Sequence, residues 1–332
     1  MEELKQSEVA EAVEGTEVPA KQKQPKKEHK NLKEWKRDIV MNHWYYILAI
    51  PVILFFLLFN YLPMFGLIMA FEDFKPTDGF FGSQWIWFDN FTRFFTANDF
   101  WPILRNTFVI SGLGLVITFP LTIIFALSLN EVTILKLKKT FQTISYVPYF
   151  ISTVIVCQLV REFCSVDGMI TDVLVSVLGV KRENLLSNPD YFWAINLFSD
   201  IWQNLGYGSI VFIAAITGVN SDLHEAAAID GANRFQRVIH VTLPCIMPTI
   251  IIMLIMKCGM LMSVGFDKIL LLYNPGIYST ADVISTHVQR WGIEQMDYGY
   301  AAAVGLFNSV VATAFLLVSN WISRKYTEMS IF

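Results

Sequence analysis

The 332-residue chain is 54% hydrophobic and only 16% charged, which excludes an ordinary soluble globular domain and assigns the chain to a bilayer. Its formal net charge of -4 decides little, because in membrane proteins the placement of Lys and Arg among the loops outweighs their sum. Four cysteines, Cys157, Cys164, Cys245 and Cys258, lie in or beside apolar runs without a Cys-x-x-Cys pair; this excludes zinc-ribbon and redox motifs and leaves them as small packing residues.

In chain order, residues 1–43 are dominated by Glu, Lys, Gln and Pro and carry few of the side chains that build a core. They read as a disordered cytoplasmic tail with a basic end, from Lys21 to Arg37, beside the lipid headgroups. No apolar core with a small-residue cleavage site follows closely, so the tail does not read as a signal peptide, and the apolar run after Arg37 argues against a nucleic-acid-binding arm. A first transmembrane helix is predicted over 44–71, kinked by Pro51, Pro63 and Gly66.

Residues 72–105 form an extracellular loop crowded with Trp85, Trp87, Phe88, Phe91, Phe94, Phe95, Phe100 and Trp101. Such density marks a membrane-interface belt, with sugar stacking or a docking surface as the alternative. A core over 106–322 holds five further predicted spans, at 106–129, 140–160, 192–217, 245–264 and 300–321. Each is long enough to cross about 30 Å of hydrocarbon at 1.5 Å per residue. Residues 323–332 close the chain as a cytoplasmic tail.

Between the fourth and fifth spans lies a polar, small-residue interruption over 222–244. Asp222 stands three residues before Glu225, the spacing of a helix N-cap whose carboxylate partner reaches back. Ala226, Ala227 and Ala228 favour a short, slim helix, and Gly231 supplies a left-handed terminator after Asp230. A second short polar helix is predicted over 233–240 before Leu243 and Pro244 open the next apolar run. Under a six-span count, the basic clusters before the first span, at Lys136, Lys138 and Lys139, at Arg234 and Arg237, and at Arg324 and Lys325 fall on one side. The positive-inside rule then predicts both termini and the 222–244 segment to be cytoplasmic.

Within the spans, Trp202, Gln203, Asn204, Leu205, Gly206, Tyr207 and Ser209 form a polar aromatic patch that is expected to face the bundle interior. Cys258, Met262 and Gly265 fall at helical spacings that predict a shared face. Lys257, deep in its span, requires a partner, and Asn308 suits a helix-to-helix hydrogen bond. The sequence contains no phosphate-binding glycine loop and no catalytic or metal-ligand constellation among its five histidines. The expectation is a protein that is not an enzyme and holds no metal.

The spacing Glu225-Ala226-Ala227, three residues, Gly231, nine residues, Val241, one residue, Leu243-Pro244 resembles the EAA loop of ABC-type importer permeases, with Val241 in place of the usual Ile. The resemblance implies an all-α, six-helix membrane protein of the type I ABC importer permease fold, in the bacterial plasma (inner) membrane. It implies that Asp222, Glu225, Ala226, Ala227, Ala228, Asp230, Gly231, Leu243 and Pro244 form a cytoplasmic coupling helix docked on a separate ATPase, which alone binds ATP and Mg. The stretch LGYGS at 205–209, and the region around Gly265, resemble the cavity-lining helices of oligosaccharide importer permeases. They imply Trp202, Leu205, Gly206, Ser209, Cys258, Met262 and Gly265 as cavity candidates, beside the plainer reading of helix packing through small residues.

The segments at 60–76 and 271–286 resemble the branch that takes up complex oligosaccharides. The implied partners are a second homologous permease in a heterodimer, two cytoplasmic ABC ATPases, an extracellular solute-binding lipoprotein and the lipid bilayer, with no nucleic acid. An importer of a non-sugar solute, an ion-coupled secondary transporter and a membrane sensor or assembly factor are the alternatives. The scarcity of spanning carboxylates weighs against ion coupling.

Overall fold

The computed structural model describes residues 40–327. Most of the expected N-terminal tail, and residues 328–332, lie outside the described residues. The chain divides after Met64 into two compact units.

In the first unit, helix α1, His43–Phe56, runs directly into a π turn at Leu57–Tyr61. It is apolar on every face and none of its residues is buried, the pattern of a helix whose solvent is hydrocarbon. Phe55 and Phe59, one turn apart, pair at 4.9 Å between ring centroids.

The second unit is helical apart from a two-residue antiparallel ladder, β1 Glu72–Asp73 against β2 Gln84–Trp85. Its helices are α2 Asp89–Thr96, α3 Phe100–Leu113, α4 Phe119–Glu131, α5 Leu135–Tyr146, α6 Thr153–Phe163, α7 Met169–Leu178, α8 Pro189–Thr217, α9 Ser221–Ile229, α10 Arg234–Arg237, α11 Leu243–Gly259, α12 Phe266–Leu272, α13 Ile284–Gln289 and α14 Tyr298–Thr327. Helices α3 and α4 are joined through a π turn at Gly114–Thr118, and α10 and α11 through one at Val238–Thr242.

Three of the π turns share a cause. Each ends two residues before a proline: Tyr61 before Pro63, Thr118 before Pro120, Thr242 before Pro244. A proline clashes with the carbonyl four residues earlier and offers it no N–H. Widening the preceding turn to π geometry absorbs the mismatch while the helix axis continues. The second polar helix predicted over 233–240 and the apolar run after it are therefore one continuous rod, Arg234–Gly259.

Among the described residues, four helices are long and apolar enough to cross a membrane: His43–Phe71, Phe100–Glu131, Arg234–Gly259 and Tyr298–Lys325. The predicted third crossing, 140–160, is not one rod: Leu135–Phe150 and Thr153–Phe163 meet at 96°. Pro148 tightens the end of α5 into a 3-10 turn, Val147–Phe150, and Ile151 and Ser152 are extended. The predicted fourth, 192–217, is the 29-residue α8, whose Asp200, Gln203 and Asn204 lower its hydropathy below that of the other four. The predicted fifth, 245–264, stops early, at Gly259. There α14 packs so closely that a Cβ on Gly259 would lie 2.8 Å from Leu316 Cδ1. The last helix runs to Thr327, past the predicted boundary at 322.

Two apolar clusters sit at the end of the bundle where α8 begins. One gathers Ile110, Leu185, Phe192, Ile269 and Ile277; the other gathers Phe94, Phe100, Met262, Ile284 and Tyr300. The aromatic segment at 72–105 thus divides. Phe94 and Phe100 are core, whereas Trp85, Trp87, Phe88, Phe95 and Trp101 remain exposed. A third cluster, Phe119, Phe212, Ile216 and Ile246, ties α4, α8 and α11 near the opposite end.

The segment 273–290 is bound down by polar contacts. Asn106 Nδ2 donates to Ser279 O and Asp282 O, Trp193 Nε1 to Thr280 O at 2.7 Å, and Thr280 Oγ1 to Pro189 O. Buried Asp282 accepts from Arg290 at 2.6 and 3.1 Å and from Thr286 at 2.7 Å.

Candidate functional site

Two places combine polar groups with an arrangement that packing alone does not require. The first is the knob that follows α8. Asn220 caps α9, its Oδ1 accepting from Asp222 N at 3.0 Å. The predicted cap, Asp222, lies inside the first turn instead, where its carboxylate faces the positive end of the helix. At the other end the prediction holds in detail: Gly231 is left-handed, with φ +84°, and Ala232 N donates to Ala227 O at 2.9 Å while Gly231 N donates to Ala228 O at 3.1 Å. That is a Schellman closure, which satisfies the last carbonyls of α9.

Asn233 then caps α10 through a capping box with Gln236, at 2.9 and 2.8 Å. Every turn of the knob is satisfied locally, so its shape does not depend on a core. It has none: no residue of α9 or α10 is buried, and Ile229 is 87% and Phe235 73% exposed. Glu225, Ala226, Ala227, Ala228 and Asp230 lie on this projecting helix, and Leu243 and Pro244 sit where the rod resumes α-helical geometry.

The second place is a cavity of about 410 Å³ bounded by α3, α4, α8, α11 and the segment that follows it. Its walls include Gly114, Leu115 and Thr118, in the middle of the Phe100–Glu131 rod, and Asp200, Asn204, Tyr207 and Gly208, the middle of α8. The cavity therefore lies midway along the helices. Residues 260–265 close it with backbone that has left the helix, and the Ser111 hydroxyl donates to Leu261 O. Irregular backbone at membrane depth persists where it lines such a cavity.

The charged side chains on the cavity wall are Asp200, Lys257 and Lys268. Asn204 Nδ2 donates to Asp200 at 2.7 Å, and Lys268 Nζ donates to Gln203 Oε1 at 3.4 Å. Lys257 is exposed, and among the described residues no carboxylate pairs with it.

Of the seven predicted cavity residues, Gly265 borders this cavity. Gly206 is a packing glycine, since a Cβ there would lie 2.1 Å from Ser145 O of α5. Ser209 is fully buried and its hydroxyl donates to Gly206 O at 2.6 Å. Met262 is core in the cluster around Phe94. Trp202 and Leu205 lie on α8, and Trp202 is half exposed beyond the cavity wall. Cys258 is half-buried on α11. Because the helix ends at Gly259, Cys258, Met262 and Gly265 do not share a helical face. Sequence reasoning passed over Asp200, Asn196 and Lys268; a carboxylate at the midpoint of a 29-residue helix was the available signal for the first.

At the far end, burial opposes ionisation of Asp282, yet the hydrogen bonds from His287, Arg290 and Thr286, together with the Arg290 charge, hold its carboxyl below the usual range. This clamp fixes the loop that closes the end of the bundle.

Comparison with known proteins follows the same lines. The family model described as "binding-protein-dependent transport system inner membrane component" matches residues 119–328. Protein LplB of Bacillus subtilis (strain 168) is 40% identical over 90% of this chain and 94% of its own length. The polygalacturonan/rhamnogalacturonan transport system permease protein YteP of the same organism is 37% identical over 89% of this chain and 92% of its own. Among solved structures, a chain of a bacterial alginate ABC transporter, in complex with an alginate pentasaccharide-bound periplasmic protein, superposes with a TM-score of 0.82. It is 40% identical and covers 89% of this chain and 99% of that one.

Proposed function

The chain belongs to the binding-protein-dependent transport system inner membrane component family, and is thus an ABC transporter permease and not an enzyme; from that premise we propose that it imports an oligosaccharide. It does so as half of a heterodimer with a homologous permease, served by two cytoplasmic ATPases and a solute-binding lipoprotein. The observation that carries this reading is the knob at 220–237: a helix pair capped at every turn, buried nowhere, and presenting Ile229 and Phe235 to a partner.

In this mechanism ATP and Mg stay with the ATPase, and this chain supplies the lever. Closure of the ATPase dimer pushes α9, with Glu225 and Asp230 making polar contacts to the ATPase and the alanine face seated in its groove. The push travels along the two rods beside the knob: Arg234–Gly259, which leaves it without a break, and α8, which ends at Thr217 and is joined to α9 through residues 218–220. Both rods border the cavity, so their reorientation opens it alternately to each side of the membrane. Six crossings, with both termini in the cytoplasm, complete the proposed topology. The names of YteP and of the alginate transporter support an oligosaccharide as cargo.

The test is reconstitution. Proteoliposomes containing the full complex should accumulate oligosaccharide only with ATP inside and binding protein outside. Single cysteines introduced at Asp222 and Asn233 should react with an impermeant maleimide from the cytoplasmic face alone. Labelling from the outer face would remove the lever from its motor and end the reading.

A further inference from the structure

One titratable group at the end of the bundle where α8 begins has no part in the proposed cycle. His287, on α13, is fully buried, with the rings of Phe94, Trp291 and Tyr300 at 6.1, 5.9 and 5.7 Å between centroids. Its Nε2 meets the Tyr300 hydroxyl at 3.1 Å. Its Nδ1 is contested: Arg290 Nη2 stands 3.2 Å away, Asp99 Oδ2 3.5 Å and Asp282 Oδ2 3.9 Å. A neutral imidazole has one N–H for two nitrogens, so a bare Nδ1 can accept from Arg290 while Nε2 donates to Tyr300. An added proton makes both nitrogens donors, and Nδ1 must then turn from the guanidinium to a carboxylate.

The carboxylate in reach is Asp99. Asp282 is already held by Arg290 at 2.6 Å and by Thr286 at 2.7 Å, and Arg93, stacked over Tyr300, is paired with Asp297 at 2.7 Å. Asp99 makes no other ion pair among the described residues, and its side chain is 46% exposed, which gives a proton a route in. Two carboxylates and one guanidinium thus surround an uncharged His287, and the cluster is one positive charge short of neutrality. Each of these groups belongs to this chain, and the imidazole has no surface for another subunit to cover.

We propose that His287 is a proton-binding site operated from the outer face: protonation transfers Nδ1 from Arg290 to Asp99, ties the turn before α3 to α13, and holds the outer end of the bundle shut. The inference goes beyond the importer reading and rests on it only for the placement of this end outside. Asp99 immediately precedes α3, the start of the rod whose middle lines the cavity. Outward opening moves that rod against the closing loop. A proton that ties the two adds a barrier to the step, so uptake slows as the outer medium acidifies; in neutral medium the clamp on Asp282 positions the loop alone.

Two measurements on the complete permease–ATPase complex test this. In nanodiscs, hydrogen exchange over residues 97–103 and 284–290, corrected for the intrinsic effect of pH, is compared at about pH 5.5 and 7.5, an interval across which imidazoles change charge. Wild type should gain protection several-fold at the lower pH. His287→Gln, neutral at both, and Asp99→Asn, which keeps the imidazole and removes its acceptor, should not. In proteoliposomes buffered inside at neutral pH, lowering the outer pH alone should slow ATP-driven uptake about threefold in wild type, the scale of one partly exposed ion pair, and by less in either variant. The binding protein is common to all three, so its own response to pH cancels. Should His287→Gln fail to assemble, Asp99→Asn carries the test. An acid response that survives in Asp99→Asn, protection that does not rise in wild type, or wild-type uptake indifferent to outer pH each overturns the proton site and leaves the importer intact. Failure to accumulate oligosaccharide with ATP at any pH overturns the importer reading instead, and hydrogen exchange still decides the proton site.

Discussion

Gly206→Ala separates two accounts of the centre of α8. A Cβ built on Gly206 lies 2.1 Å from Ser145 O, 2.4 Å from Ser145 C and 2.8 Å from Ser145 Cβ. Backbone atoms cannot rotate away as a side chain can, so α5 and α8 must separate by about 1 Å to restore ordinary contact. Overpacking of this kind costs about 1–3 kcal/mol, which corresponds to a loss of roughly 1–4 °C in melting temperature for a chain of this size. The shift also parts the Tyr149–Tyr207 stack, whose rings lie 3.6 Å apart and within 2° of parallel.

The assay is thermal unfolding of the purified complex, with Gly208→Ala as control. There the added Cβ meets only the Thr122 side chain, its methyl at 3.3 Å and its hydroxyl at 3.9 Å, and should shift the melt by less than about 1 °C. If Gly206→Ala melts with Gly208→Ala and instead weakens oligosaccharide binding, the packing account is refuted, and Gly206 lines the transport path as its sequence context implied.

At the knob, no atom lies within 4 Å of a Cβ added to Gly231, but its φ of +84° is left-handed. Gly231→Ala should therefore strain the turn by about 1–2 kcal/mol without a clash, and Gly231→Val by more. Both should lower the ratio of sugar imported to ATP hydrolysed while the complex still reaches the membrane. Asn220→Ala should destabilise α9 by about 1 kcal/mol, and Asp222→Ala by less, because only Asn220 caps the helix; hydrogen exchange of the 221–224 amides reads the difference. Asp282→Asn should cost about 3 kcal/mol at neutral pH by leaving the half-buried Arg290 without its carboxylate. Because the folded-state pKa of Asp282 is depressed, the pair's contribution is complete above the ordinary carboxylate range and is lost as the pH falls through the depressed value. The gap between wild-type and Asp282→Asn melts should therefore close on acidification, and a gap constant down to pH 3 would contradict the ion pair.

Much of this protein was legible in one dimension because the relevant forces act locally. Apolar length announces a bilayer, and Gly231 announces a left-handed stop whatever surrounds it. The knob from Ser221 to Arg237 could be read almost residue by residue, since its hydrogen bonds close within the segment itself. Only its first cap moved, from Asp222 to Asn220, two polar residues that compete for the same amides. The prolines at 63 and 244 were equally plain, yet whether each breaks a rod or merely widens one turn depends on whether neighbouring helices hold the axis straight.

The cavity belongs to the tertiary structure. Helical spacing placed Cys258, Met262 and Gly265 on one face, but the helix ends at Gly259, where α14 approaches closely at Leu316, and Met262 lies in the core. Glycine at 206 could equally have admitted a ligand or a neighbouring backbone, and the position of Ser145, 61 positions earlier in the chain, decided for the backbone. Asp200, Lys257 and Lys268 came together only because the middle of α8, the last turn of α11 and the start of α12 converge there. Charges distant in sequence have no local pattern to betray them; which ones meet, and which one is left without a partner, is settled by packing alone.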